Sequence, residues 1–129
     1  MQIKAEISPG ELIDKITILE IKAERITDAE KLPSVRLALS VLEDTRNAEI
    51  PASASLSELC DELKAVNERL WDIEDDIRDC ERDQDFGEKF IELARSVYRT
   101  NDVRAALKRQ IDELLGSELV EQKSYKQYE

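Results

Sequence analysis

The chain has 129 residues, and 41% of them are hydrophobic, which is enough apolar material for one folded domain. Its 30 acidic and 19 basic residues give a formal net charge of −11, which disfavours binding to nucleic acids and to anionic membranes. The sequence contains no histidine, which excludes a Ser-His-Asp or Cys-His catalytic apparatus and disfavours zinc, so that catalysis would depend on carboxylates, Lys, Arg, Tyr or carboxylate-bound Mg²⁺.

Three glycines, three prolines and six aromatic residues leave few tight turns, so the composition favours long helices over a β-sandwich. No membrane-spanning apolar stretch is present, and the opening residues lack the apolar segment of a secretion signal, so we expect a cytoplasmic protein. Cys60 and Cys80 lie in one predicted helix. We expect both to be reduced, because a disulfide needs Cα atoms within about 7 Å of each other.

The first seven residues alternate apolar and polar side chains and predict a short N-terminal arm on a single domain that spans residues 1–129. A helix start follows, with Ser8 as the N-cap, Pro9 in the first turn and Glu11 three residues after the serine. This first helix is predicted to reach about Ile26.

The first helix is apolar on two sides. Its main stripe consists of five residues at heptad spacing: Leu12, Ile16, Leu19, Ala23 and Ile26. Ile18 and Ile21 project to nearly the opposite side. Such a helix either lies at the centre of a bundle or packs against another subunit, and the second alternative favours a homodimer.

A second helix is predicted from Glu30 or Pro33 to Ala48, ended by Asn47 and Pro51. Its apolar stripe is Leu32, Val35, Leu39 and Leu42. The linker that follows, residues 52–55, is short.

The longest element is a heptad-patterned helix over about residues 56–82, with Ser55 and Glu58 as a capping box. Its apolar seam is Leu56, Leu59, Leu63, Val66, Leu70, Ile73, Ile77 and Cys80. A seam of this spacing lies along another helix, so the rest of the chain must supply partner helices.

A turn is predicted at residues 83–87. The segment after it is predicted to form either one bent helix or two helices separated by a break at Thr100, Asn101 and Asp102. Gly116 is expected to cap the last turn in the left-handed conformation. Residues 121–129 are polar and are expected to form a mobile tail. The sequence therefore predicts an all-α, mostly antiparallel bundle of four to five helices.

Three stretches resemble a known family: SPGELIDKITILEIK at residues 8–22, LWDIEDDIR at 70–78 and ARSVYRTND at 94–102. They are similar to a bacterial family of short helical proteins of unknown function. The resemblance extends over nearly the whole chain and implies a stand-alone cytoplasmic protein, but it implies no catalytic residues.

An acidic cluster on the long helix is a candidate for a metal site. Glu58 and Asp61, and Asp72 with Asp75 and Asp76, have the i, i+3, i+4 spacing with which all-helical nucleotide pyrophosphohydrolases hold Mg²⁺. The alternative is a solvated helix face, because these residues project away from the apolar seam. We favour the solvated face and expect no cofactor.

A basic segment stands out in this acidic chain, with Arg95, Arg99, Arg104, Lys108 and Arg109 in fifteen residues. Arginine binds carboxylate and phosphate in a bidentate manner. One hypothesis is therefore a pocket for a small anion, with Tyr98 beside the two first arginines. The alternative is salt bridging to the acidic faces of neighbouring helices, which we favour.

Trp71 and Arg78 share one side of the long helix and are candidates for a ligand wall or an interface anchor. The alternative, which we favour for Trp71, is a large side chain that covers the edge of the bundle. Residues 12–25 also resemble the first helix of helical chorismate mutases, which act by electrostatic binding, but Ile3 and Lys4 stand near the place of an arginine expected upstream.

These observations favour a non-catalytic helical binding or interaction module, expected to be a homodimer or to bind a protein partner, with a small anionic ligand as a further expectation. The alternatives are a small metal-dependent enzyme of phosphate chemistry and a chorismate-mutase-like enzyme.

Overall fold

The computed structural model describes residues 1–122 and 124–128, and that part of the chain contains four α-helices. The helices are α1 (Pro9–Arg25), α2 (Leu32–Glu49), α3 (Ala54–Arg82) and α4 (Glu88–Leu114). α1 contacts each of the other three helices, and α3 packs along α4. The expected all-α bundle is therefore confirmed. None of the helices in the described residues combines the length and the hydrophobicity of a membrane span.

The first helix begins at the predicted residue, whereas α3 does not. The Ser8 hydroxyl accepts a hydrogen bond from the Glu11 amide at 3.1 Å, and Pro9 opens α1. α3 is capped by Ser53, whose hydroxyl accepts from the Leu56 amide at 3.1 Å. The predicted Ser55 capping box is therefore wrong by two residues. Ser53 has the extended backbone that an N-cap requires, and Ser55 already lies within the helix.

The predicted seam of α3 faces the interior of the bundle, and five of its eight residues are buried and three half-buried. The main apolar cluster combines one residue of α1, four of α3 and two of α4: Ile13, Leu56, Cys60, Leu63, Val66, Leu107 and Ile111. The core therefore lies between α1, α3 and α4. Cys60 and Cys80 are buried free thiols.

The position of α1 explains why it is apolar on two sides. Ile16 and Ile21 project to different sides of the helix, yet each is only 1% exposed. Ile18 is half-buried. Because α1 is surrounded by three helices, packing within one chain accounts for both sides, and Ile18 and Ile21 do not require a partner subunit.

α4 is continuous through Thr100, Asn101 and Asp102, so the alternative with a break at that position is wrong. Thr100 is buried, and packing of α4 along α3 outweighs the local preference of these residues for a helix end. The end of α4 is as predicted. Gly116 has a φ of 64°, and the amides of Gly116 and Ser117 donate to the carbonyls of Glu113 and Asp112, which is a Schellman cap.

The two ends of the chain lie outside the helices. Residues 1–7 are exposed. Glu121 is bonded to α4, as described below. The expectation of a mobile tail over residues 121–129 falls partly on Lys123 and Glu129, which lie outside the described residues.

We expect Leu63→Ala to reduce the free energy of unfolding by about 2–5 kcal/mol, because Leu63 is 0% exposed and its removal leaves a cavity between three helices. Leu70→Ala should cost less, since Leu70 is half-buried. Urea denaturation followed by circular dichroism measures both. Ile91→Ala, at a position 52% exposed, is the control. Equal effects at positions 91 and 63 would mean that the seam is not the core.

Candidate functional site

A buried polar cluster lies where α1, α3 and α4 meet, and Asp14 of α1 is at its centre. Asp14 is only 1% exposed. Its Oδ1 accepts hydrogen bonds from Nδ2 of Asn67 and from Nε of Arg104, both at 2.9 Å, and its Oδ2 accepts one from Nη2 of Arg104. The carboxylate therefore joins all three helices through a bidentate arginine pair and one amide.

The cluster continues from Asn67 to Thr17. Nδ2 of Asn67 also donates to the Thr17 hydroxyl at 2.9 Å, and that hydroxyl donates to the backbone carbonyl of Asp14 at 2.8 Å. Asn67 and Thr17 are both buried. Among the described residues, no buried side-chain nitrogen or oxygen lacks a hydrogen-bond partner. The cluster is therefore preorganised, because each of its polar groups is held by another.

α4 contributes to the cluster through three residues spaced one helical turn apart: Arg104, Lys108 and Asp112. This i, i+4 spacing places them on one face of the helix. They meet Asp14, Glu11 and Gly10 of α1 in that order, so the two helices run antiparallel where they touch.

Lys108 is bound by carboxylates from two parts of the chain. Its Nζ lies 2.8 Å from Oε2 of Glu11, 3.2 Å from Oε2 of Glu121 and 4.0 Å from Oδ2 of Asp14. Only 9% of the lysine side chain is exposed, so these contacts are largely removed from water. Two of the three carboxylates come from α1, and Glu121 comes from the non-helical chain after α4.

The first turn of α1 is held against α4 through Gly10 and Asp112. The Gly10 amide donates to Oδ1 of Asp112 at 2.7 Å, and Oδ2 of the same carboxylate accepts the Glu121 amide at 3.0 Å. A carboxylate at the amino end of a helix is favourable because of the helix dipole. A Cβ atom on Gly10 would lie 2.4 Å from the Lys108 carbonyl oxygen, so only glycine permits this approach.

The ionised forms of these groups stabilise one another. Burial raises the pKa of Asp14, but the hydrogen bonds from Arg104 and Asn67 and the charges of Arg104 and Lys108 outweigh burial and hold that pKa below its ordinary value. Burial similarly lowers the pKa of Lys108, and the contacts with Glu11, Asp14 and Glu121 outweigh burial and raise it. The hydrogen bond from Lys108 lowers the pKa of Glu11.

One edge of the cluster opens into a cleft of about 1060 Å³ between α4 and the C-terminal segment, by which we mean the described residues 117–122 and 124–128. Arg104 and Lys108 line the cleft, together with Asn101. The side chain of Arg104 is 29% exposed. The Tyr98 ring of α4 lies 5.1 Å from the Tyr128 ring, measured between centroids. The cleft therefore combines three cations, Arg104, Lys108 and Lys126, with the carboxylates of Asp102 and Glu121 and with aromatic and amide groups.

The structure separates the residues that were predicted to form the anion pocket into two groups. Tyr98, Arg104 and Lys108 line the cleft. Arg95 and Arg99 do not line it. Arg95 is exposed and donates to Glu92 on its own helix at 2.9 Å, and Arg99 is exposed.

The other two candidates for ligand contacts lie elsewhere, on α3. Trp71 is half-buried, and the Arg25 guanidinium lies 5.8 Å from the centre of its ring. Arg78 is exposed and pairs with Glu74 at 3.6 Å. Trp71 thus has a neighbour from α1 and lies at the edge of the bundle.

The residues proposed for a metal site lie on the exposed face of α3: Glu58, Asp61, Asp72, Asp75 and Asp76. Asp72 accepts a hydrogen bond from Nη1 of Arg25 at 2.6 Å. Within residues 1–122 and 124–128, no three Cys, Asp or Glu side chains are grouped so that they could hold a metal ion.

Sequence reasoning missed most of the polar cluster. The missed residues are Gly10, Glu11, Asp14, Thr17, Asn67, Asp112 and Glu121. A signal was present for two of them. Asp14 lies between Ile13 and Ile16, and Asn67 directly follows Val66 of the seam, so each is a polar residue beside buried apolar positions. A polar side chain in such a place needs a buried partner.

The fold and this cluster define a class, a helical bundle with a buried ionic centre beside a surface cleft. Within that class, the chain belongs to the Family of unknown function (DUF6165), whose model matches residues 3–128. This match confirms the expected membership of an uncharacterised family. The comparisons with curated proteins and with solved structures found no match.

We expect Gly10→Ala to destabilise the fold by about 1–3 kcal/mol, because the added Cβ would force α1 away from the Lys108 carbonyl and from the Asp112 carboxylate. Thermal denaturation measures the effect. Gly87→Ala is the matched control, since its Cβ would meet only a flexible Asp85 side-chain oxygen at 3.3 Å. A Gly10→Ala protein as stable as Gly87→Ala would contradict the close contact.

We expect Asp14→Asn to lower the free energy of unfolding by about 2–4 kcal/mol at neutral pH, because Arg104 loses its bidentate partner. The partial exposure of Arg104 limits this cost, because water still reaches the guanidinium. The pKa of Asp14 is lower in the folded protein than in the unfolded chain. Its contribution is therefore complete above the ordinary carboxyl pKa of about 4 and is lost as the pH falls through the folded-state pKa.

The stability difference between the parent and Asp14→Asn should consequently shrink as the pH is lowered from about 5 to about 2. Urea titrations of both proteins across this range test the sign. Asp75→Asn, at an exposed position of α3, is the control and should track the parent. A difference that stays constant with pH would show that Asp14 is not the titrating group.

Proposed function

We propose that the protein is a binding module that holds the anionic group of a small ligand, such as a phosphorylated metabolite, in the cleft at Arg104 and Lys108. The observation that carries this proposal is the Glu121 carboxylate on Lys108. Unlike Glu11 and Asp14, which are fixed by α1, Glu121 reaches the lysine from a non-helical segment on the cleft side. The Glu121 carboxylate therefore occupies a position at which Lys108 can bind an anion.

The charges of the cluster support exchange of that anion. Arg104 and Lys108 carry two positive charges, and the two α1 carboxylates, Glu11 and Asp14, balance them. The cluster contains two further carboxylates, Asp112, which accepts the Gly10 and Glu121 amides, and Glu121, which pairs with Lys108. Of these four acidic groups, Glu121 is the one that belongs to a non-helical segment. A phosphate group entering the cleft can replace the Glu121 carboxylate without leaving a buried cation unpaired.

The cleft also supplies contacts for the rest of a ligand. Asn101 lies about one turn before Arg104 on α4 and Tyr98 nearly two turns before it, and both line the cleft. An aromatic ring beside amide and cationic groups suits a ligand that combines a ring with an anionic substituent. The salt-bridge alternative accounts for Arg95, which is paired with Glu92 outside the cleft.

We expect inorganic phosphate to raise the melting temperature of the parent relative to chloride at constant ionic strength, with stabilisation of about 2.7 kcal/mol at one hundred times the dissociation constant. Glu121→Gln should bind phosphate more tightly, because the internal carboxylate no longer competes for Lys108. Arg104→Gln should abolish the response, and Arg78→Gln, at an exposed position of α3, is the control that should retain it. Thermal-shift titrations of the four proteins measure these effects.

Failure of phosphate to stabilise both the parent and Glu121→Gln would contradict the anion proposal. Equal loss in Arg78→Gln and Arg104→Gln would indicate a response to net charge and would likewise contradict it. Stabilisation that requires Mg²⁺ together with a nucleotide would support the metal-dependent enzyme instead.

A further inference from the structure

α2 is the least buried helix of the bundle. Its backbone packs on α1 alone, its Arg46 side chain reaches the Cys60 sulfur of α3 at 3.7 Å, and none of its 18 residues is buried. Even the inward stripe is only half-buried: Leu32, Val35, Leu39 and Leu42. Most helical stability in proteins comes from packing of an apolar face. An 18-residue helix with so little burial therefore has surface that a further partner could cover.

The side of α2 that points away from α1 carries exposed apolar residues. Leu37 is 61% exposed and Val41, one turn later, is 47% exposed. The positions that continue this side along the helix are also uncharged and exposed: Ser34, Ala38, Thr45 and Ala48. At ~100° per residue these six positions fall within a sector of about 100°. We call this sector the outer face of α2.

Charges at the two ends of α2 indicate what covers the outer face. Lys31 precedes the helix and Glu49 is its last residue. Eighteen residues are about five turns at ~3.6 residues per turn, so the two side chains lie on the same flank of the outer face. Both are exposed, and neither forms an ion pair with another residue in the described part of the chain.

A second copy of this helix complements that arrangement when the two helices are antiparallel and related by a two-fold axis. Lys31 of each copy then lies beside Glu49 of the other copy, which gives two equivalent ion pairs, and Leu37 lies beside Val41 of the other copy. A parallel two-fold pair would instead place Lys31 and Glu49 of one copy on the flank opposite to those of the other copy, so that neither ion pair could form.

We infer that the chain forms an antiparallel homodimer through the outer faces of two α2 helices. This interface is independent of the cleft, which lies on α4 and the C-terminal segment. α2 is about 27 Å long at ~1.5 Å per residue, so the contact is at the small end of specific interfaces. The expected dimer is therefore weak.

Sedimentation equilibrium from about 10 μM to about 1 mM tests the interface on the full chain. The parent should shift from monomer to dimer across this range. Leu37→Glu should raise the dissociation constant at least about tenfold, because it places two acidic groups in the apolar centre of the dimer. Ile91→Glu is the matched control, since Ile91 is 52% exposed on α4, and it should leave the dissociation constant unchanged.

A charge exchange tests the orientation of the helices. Lys31→Glu and Glu49→Lys should each weaken the dimer by placing like charges together, and the double variant should restore it because both ion pairs re-form with their signs reversed. A parent that remains monomeric at about 1 mM would overturn the inference, as would a dimer insensitive to Leu37→Glu. A double variant no tighter than the single variants would overturn the antiparallel arrangement.

Discussion

The ion pair between Asp14 and Arg104 is the contact on which the arrangement of the three core helices depends. A buried carboxylate is tolerated only when a partner charge and hydrogen bonds replace its water, and Asp14 obtains them from α4 and α3 together. Apolar packing alone permits neighbouring helices to slide or rotate with small changes in energy. A carboxylate that must meet a guanidinium on one helix and an amide on another selects one register among those alternatives.

This requirement explains the polar content of the first turns of α1. Glu11 and Gly10 lie about one turn before Asp14. Glu11 pairs with Lys108, one turn after Arg104, and the Gly10 amide donates to Asp112, two turns after Arg104. Gly10 brings the two backbones into contact, which is possible only without a side chain. The amino end of α1 is thus held through its backbone, through charges and by steric fit at the same place, and the cluster tolerates little displacement of the helix.

The same cluster connects buried charge to the surface, because Arg104 and Lys108 line the cleft. A fully buried ion pair would serve stability alone, whereas Arg104 retains partial exposure and Lys108 binds a residue of the C-terminal segment. α2 differs from the other helices in both respects. It contributes no buried residue and takes no part in the cluster, so the bundle divides into a tightly coupled core of α1, α3 and α4 and a peripheral helix with an exposed face.

The sequence by itself determined the helical class, the bounds of α1 and α2 to within about two residues, and the inward face of α3. These properties follow from local periodicity and capping, such as Ser8 before Pro9 and the spacing from Leu56 to Cys80. The tertiary structure decided the rest. α4 runs through Thr100 because long-range packing outweighs a local capping preference, and α3 begins after Ser53 although Ser55 offers a second cap. Asp14 meets Arg104 across 90 residues, and Asn67 across 53. No local pattern encodes such pairs, because the partner of a buried charge depends on which helix faces lie together, and that is known only after the helices have packed.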